Sequence, residues 1–162
     1  MYNVPTRTAC DVLPETVAEL SKIENIVGIK EASPDPERLS QLKNKIHDES
    51  FFLYSGDDLT ACKFLNDGGH GIISVTANVV PEKISKICEL ALSVLVKEAH
   101  QADSKITNLH DSLFIETSPI PVKWVLNRLG RIPPGIRLPL TILDEDYVPK
   151  IELILNKLGL TN

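Results

Sequence analysis

The chain has 162 residues, 43% hydrophobic and 24% charged, with a net charge of -5, a size and balance that suit a soluble globular protein with enough apolar material for a core. No cluster of basic residues interleaved with aromatics accompanies that acidic balance, so nucleic acid is not an expected partner. The longest apolar stretches, Leu90 to Val96 and Ile151 to Leu155, fall well short of the roughly 20 residues that span a bilayer, and no basic-then-apolar secretory signal opens the sequence.

Met1-Tyr2-Asn3-Val4 reads as the last residues of a strand whose body lies upstream, followed by a loop from Pro5 to Ala9. Pro14 to Lys22 carries Val17, Ala18, Leu20 and Ile23 at helical spacing, with proline at the first position. Ile26 to Lys30 is the next apolar run of strand character. Ser33-Pro34-Asp35-Pro36 is a turn and helix-start signal, and Glu37 to Ile46 places Leu39, Leu42 and Ile46 on one face. Phe51 to Ser55 is a third strand, stopped by Gly56-Asp57-Asp58 and followed by a helix from Leu59 to Asn66. Gly68-Gly69-His70-Gly71 then turns the chain into a fourth strand, Ile72 to Val75, and Pro81 opens a longer helix with Ile84, Ile87, Leu90 and Ala91.

Four strand signals, each followed by a helix, predict an α/β fold, and strands this continuously apolar predict a parallel sheet covered by helices. From Ser93 onward the pattern is helical only: Val94 to Phe114, Pro121 to Leu129 and Glu145 to Leu158, interrupted by a proline-rich loop at Ile132 to Pro139. The expected division is a βα region over 1–92 and an all-helical region over 93–162.

In parallel βα folds ligands bind at the carboxyl ends of the strands, where loops and helix amino termini supply polar groups. Those ends are Tyr2 and Asn3, Lys30 and Glu31, Ser55 to Asp58, and Ser74, Thr76 and Asn78. Lys30 closes a buried strand, which suits imine chemistry: an amine attacks a carbonyl only when unprotonated, and an apolar pocket disfavours the ammonium. Tyr2 offers a phenol for proton relay, and Arg7 a fork suited to a carboxylate. Each has a plainer reading, as a snorkelling lysine, a packing tyrosine and a solvated arginine. Asp57 and Asp58 read as a helix N-cap and a first-turn acid. Cys10, Cys62 and Cys88 fit neither a disulfide framework nor a zinc site, and a reducing cytoplasm is the expected setting. His47, His70, His100 and His110 lack metal-binding spacing, so no metal is expected.

Tyr2-Asn3-Val4-Pro5 with Arg7-Thr8, Gly28-Ile29-Lys30-Glu31-Ala32, Ser55-Gly56-Asp57-Asp58, Gly71-Ile72-Ile73-Ser74-Val75 with Ala77-Asn78-Val79, Pro119 to Trp124, and Arg137 to Leu140 together resemble the dihydrodipicolinate synthase family. The lysine strand alone is shared with relatives such as N-acetylneuraminate lyase. The resemblance implies a (β/α)8 TIM barrel with a C-terminal helical domain, of which this sequence carries the second half, about four βα units, and the helical region. It implies a homo-oligomeric lyase of the diaminopimelate and lysine pathway that uses no cofactor beyond a covalent imine of pyruvate on Lys30. Tyr2 would shuttle protons, Arg7 would hold the carboxylate of aspartate semialdehyde, and Gly56 and Ile73 would line the pyruvate pocket. The family's first four βα units are not in the sequence, so the inward strand face is expected to be open and to pair with a copy of the chain or a complementing N-terminal half. A sister pyruvate-imine lyase and a non-catalytic remnant or oligomerisation subunit stand as the alternative readings.

Overall fold

A computed structural model describes residues 1–161. Four parallel strands form one sheet in the order β1-β2-β3-β4: β1 (Tyr2–Asn3), β2 (Gly28–Glu31), β3 (Phe52–Ser55) and β4 (Gly71–Ile72). Helices α1 (Pro5–Thr8) and α2 (Pro14–Leu20) follow β1, α3 (Arg38–Lys45) follows β2, α4 (Ala61–Asn66) follows β3 and α5 (Pro81–Leu92) follows β4. Beyond them come α6 (Val96–Ser104), α7 (Thr107–Ser112), α8 (Ile120–Arg128) and α9 (Val148–Lys157). Parallel strands paired in chain order, each returned by helix, are the repeat of a barrel wall, and the expected α/β class is what the chain adopts. No helix among the described residues is long and apolar enough to cross a membrane.

The chain divides into two compact units, Met1–Ser74 with Ile87–His100, and Val75–Lys86 with the residues from Gln101 onward. In the first, Ile29 and Leu53 from the sheet meet Val17 of α2 and Leu39 and Leu42 of α3 in one buried cluster that includes Phe51. Burying each such side chain stabilises by about 1.5 to 3 kcal/mol, before the entropy of ordering it is counted. In the second, Leu109, Val122, Val125, Ile151 and Leu155, from α7, α8 and α9, form the core with Val79 and Val80. His110 is buried there, its Nδ1 2.7 Å from the Thr76 hydroxyl and its Nε2 3.4 Å from Asp103 Oδ1.

Local chemistry moves several element boundaries. Pro5 to Thr8 is a helical turn rather than a loop, because Arg7 and Thr8 both donate main-chain N–H groups to the Val4 carbonyl. The fourth strand ends at Ile72, with one further bond from Ile73 N to Ser55 O at 2.8 Å. Val75 already has helical backbone and starts a 3₁₀ turn at Thr76–Asn78. The helix expected over Val94 to Phe114 is two, α6 and α7. At the break the Thr107 hydroxyl donates to the Asp103 carbonyl at 3.2 Å, competing for an acceptor the helical ladder would use.

The turn before β4 behaves as its glycines require. Gly68, past the end of α4, has φ +98°, a conformation that side-chain-bearing residues resist. His70 then does the work of a strand residue twice over: its N–H donates to Leu53 O at 2.8 Å, while its ring Nδ1 accepts the Leu53 N–H at 3.0 Å.

The strands are not covered on both faces. Successive residues point to opposite sides, and Asn3, Ile29, Glu31, Leu53 and Ser55 are buried, whereas Tyr2 (52% exposed) and Phe52 (42% exposed) face the other way. The expectation of a sheet covered by helices therefore holds for the back only. The front corresponds to the inward wall of a barrel, and among the described residues of this unit its apolar side chains stay exposed.

Candidate active site

The register of β1 against β2 pairs Tyr2 with Lys30 and Asn3 with Glu31. Tyr2 and Lys30 therefore share the front of the sheet, and the ammonium of Lys30 sits 4.3 Å from the centroid of the Tyr2 ring. Gly56, the first residue past β3, closes on the lysine from the other side. A Cβ on Gly56 would lie 2.7 Å from Lys30 Cε and 3.0 Å from both Lys30 Cγ and Ala32 Cβ, so the hydrogen at this position is what lets the lysine stem lie flat. Tyr54 stands opposite Lys30 on β3, and its ring covers Gly71, where a Cβ would come within 2.8 Å of it.

Behind this pair lies a polar network. Asn3 Nδ2 donates to both Glu31 oxygens at 3.0 Å and to Asp11 Oδ1 at 2.8 Å, while its Oδ1 accepts the Val12 N–H at 3.1 Å. Glu31 Oε1 also accepts the Ser33 N–H at 2.7 Å. Arg38, on α3, donates to Asp11 Oδ2 at 2.5 Å and to the Val12 carbonyl at 3.2 Å.

The two carboxyls respond in opposite directions. Burial raises the Glu31 carboxyl above the usual carboxylate range, against the pull of hydrogen bonds from Asn3 and Ser33 and of the Arg38 charge. Burial also acts against Asp11, but there hydrogen bonds from Arg38 and Asn3, with the guanidinium charge, win and hold the group low. A carboxyl that binds its proton more tightly when folded adds stability below its unfolded pKa and loses it as pH rises through the folded one. Wild type is therefore expected to lose stability relative to Glu31→Gln as pH is raised from about 4 toward neutrality, the unfolded glutamate titrating near 4.3. Urea midpoints of the two proteins across that range check the sign, and parallel profiles would contradict it. Asp11 contributes the other way, its share being lost only as acid protonates it.

Of the remaining predicted residues, Arg7 is exposed in the last turn of α1, and Ile73 is 48% exposed one residue past β4. The chain thus brings Tyr2, Lys30 and Gly56 into contact, with Arg7 and Ile73 on the segments that leave the strand ends. Helix α4 starts at Ala61 rather than Leu59, so Asp57 caps the turn ahead of it: its Oδ2 accepts the Thr60 N–H at 3.0 Å and the Thr60 hydroxyl at 2.7 Å. Among the described residues no three His, Cys, Asp or Glu side chains converge as a metal site. Tyr54 is a site feature that sequence reading passed over, and the contact between Asn3 and Glu31 is another, since the two were named only as separate strand ends. The signal for both was parity, since residues two apart on a strand share a face.

Residues 1–158 match the family model described as the dihydrodipicolinate synthetase family. A 4-hydroxy-tetrahydrodipicolinate synthase of Teredinibacter turnerae is 50% identical over 159 residues, covering 98% of this chain and 54% of that protein. The crystal structure of a dihydrodipicolinate synthase from Thermotoga maritima superposes with a TM-score of 0.95 at 37% identity, over 99% of this chain and 55% of that one. A chloride-inhibited dihydrodipicolinate synthase from Acinetobacter baumannii, solved in complex with pyruvate, gives a TM-score of 0.91 at 43% identity over 99% and 55%. The chain spans about half the length of the curated relatives it matches.

Proposed function

Because the chain belongs to the dihydrodipicolinate synthetase family, we propose that it carries the imine-forming half of an active site that condenses pyruvate with aspartate semialdehyde. The observation that supports this most directly is the Lys30 amine lying 4.3 Å over the Tyr2 ring, with Gly56 pressed against its stem. The Lys30 amine adds to the ketone carbon of pyruvate, and water leaves to give an imine. A proton lost from the methyl carbon turns the imine into an enamine, whose carbon attacks the aldehyde of the second substrate. The amine of that substrate then displaces Lys30 from the imine carbon, closing the ring and restoring the free lysine. Tyr2 relays the protons, Arg7 holds the carboxylate of the semialdehyde through its fork, and Gly56 and Ile73 bound the pyruvate pocket. The pyruvate held by the Acinetobacter baumannii relative supports that substrate in particular.

The reaction needs the front of the sheet sealed, because the lysine is only partly buried and Tyr2 is half exposed. A first half of the barrel, or a copy of this chain, would supply that wall. Exposed apolar strand faces favour such association, and light scattering that found a stable monomer with its front uncovered would argue against it.

The test is pyruvate with sodium borohydride, applied to the chain alone and with a relative's N-terminal half supplied in trans. Reduction is expected to fix pyruvate on the peptide containing Lys30. No adduct under either condition would remove the imine reading and leave the non-catalytic one. Turnover of aspartate semialdehyde, against sugar acids, separates the synthase from sister lyases.

A graded prediction follows from the packing at Gly56. Gly56→Ala would push the lysine stem off Ala32, and misplacing a reacting group by a fraction of an ångström lowers rates steeply. Adduct formation is expected to slow by about 10-fold or more, while overpacking at this partly exposed edge costs about 1 kcal/mol. An unchanged trapping rate would show that the stem does not need the space.

A further inference from the structure

We propose that Asn3 and Glu31, on the back of the sheet, are positioning residues that set Tyr2 over Lys30 on its front; this rests on the imine reading above. Strand β1 has two residues and lies at the edge of the sheet. Besides the parallel ladder that pairs Tyr2 with Lys30 and Asn3 with Glu31, its main-chain ties to β2 include Lys30 N to Met1 O at 3.0 Å and Ala32 N to Asn3 O at 2.9 Å. Packing does not clamp the Tyr2 ring, which is 52% exposed. The residue after it is held on all sides: Asn3 is 1% exposed, Glu31 is 4% exposed, and one amide joins them.

The geometry makes that amide a register lock. Its nitrogen reaches both Glu31 oxygens and Asp11, and its oxygen takes the Val12 N–H, so it cannot rotate by half a turn without setting donor against donor. Glu31 is pinned in turn by Ser33 N, and Asp11 by Arg38. Side chains alternate along a strand, so a slip of one residue would exchange the faces and carry the Tyr2 phenol to the back. Holding Asn3 opposite Glu31 therefore holds Tyr2 opposite Lys30. The same amide ties β1 to residues 11 and 12, beyond the α1 turn that bears Arg7, so one buried contact orients both segments leaving the strand.

Glu31→Gln keeps the shape and turns one acceptor into a donor facing the Asn3 nitrogen. The experiment is a double-mutant cycle on the rate of borohydride-trapped pyruvate, at saturating pyruvate and under whichever condition gives the wild-type adduct. Circular dichroism confirms folding of each variant. Tyr2→Phe removes the phenol hydroxyl and is expected to slow trapping by about 100-fold. Glu31→Gln alone is expected to slow it about 10-fold, and in a Tyr2→Phe background to change it by less than about twofold, because residues acting through one another are not additive. A Glu31→Gln rate equal to wild type, or a 10-fold effect that persists without the hydroxyl, would overturn the inference while leaving the imine in place. Absence of any wild-type adduct would instead overturn the imine reading on which the inference stands. If Glu31→Gln does not fold, Glu31→Asp, which keeps the charge but withdraws the carboxylate by one methylene, takes its place in the same cycle.

Discussion

Lys30→Ala is expected to abolish the borohydride-trapped pyruvate adduct, a loss on the order of 10⁴-fold or more, as for removal of other covalent nucleophiles. The side chains beside Lys30 on the front of the sheet, Tyr2, Phe52 and Tyr54, carry no amine, so none can form the imine in its place. Lys30→Arg is expected to fail equally, because a guanidinium stays protonated and delocalised at any working pH. Stability should hardly change. Lys30 is partly exposed, and its contact with the Tyr2 ring is of a kind worth about 0.5 to 1 kcal/mol at open sites. Activity lost with the fold intact separates a chemical role from a structural one. An adduct of undiminished yield in Lys30→Ala, mapped by mass spectrometry to another lysine, would move the nucleophile elsewhere.

The largest expected effect on stability lies behind the sheet. Arg38 is 7% exposed and its guanidinium ties the Asp11 carboxylate and the Val12 carbonyl to α3. Arg38→Met keeps the apolar stem but removes the donor to Asp11 Oδ2 and to the Val12 carbonyl, Asp11 keeping its bond from Asn3. Breaking a wholly buried pair costs about 3 to 5 kcal/mol. Two features lower the figure here: the Asp11 side chain is 31% exposed, and Arg38 Nε is itself buried without a partner, so its removal also relieves a cost. About 2 to 3 kcal/mol is the expected net loss, measured as the change in unfolding free energy from urea titration. That corresponds to roughly 5 to 10 °C in melting temperature for a chain of this size. A loss below about 0.5 kcal/mol would reduce the pair to a surface-type contact.

These two effects differ in how far the amino-acid sequence announces them. The α/β architecture could be read from one pass along the residues, since four apolar runs are each followed by a helical segment, and the strands pair in the order of the chain; Lys30 stands out only as the close of one such run, and the role proposed for it rests on the family resemblance. Tyr2 stands out by its place at a strand end, whereas Gly56 and Ile73 are singled out only by the family resemblance. The Asp11–Arg38 pair could not be found that way, because the two are separated by 27 positions and meet only once α3 has packed onto the sheet. The split of α6 from α7 was hidden for a different reason: apolar periodicity continues through residues 94 to 114, while the break is made by the backbone, where the Ile106 N–H donates to the Asp103 carbonyl at 2.9 Å beside the Thr107 hydroxyl. The short β4 reflects a local turn preference at Val75 that outweighs its β-branched character.

One small feature gives these experiments an internal signal. The imidazole of His70 accepts the Leu53 N–H at its Nδ1, which assigns the ring proton to Nε2 and makes the tautomer a property of the β3–β4 turn rather than of solution equilibrium. Nitrogen chemical shifts distinguish the two ring nitrogens directly, so isotope-labelled His70 reports whether that corner of the sheet is assembled. A variant that alters trapping while leaving this signature in place has changed the chemistry, and one that shifts it has opened the wall itself.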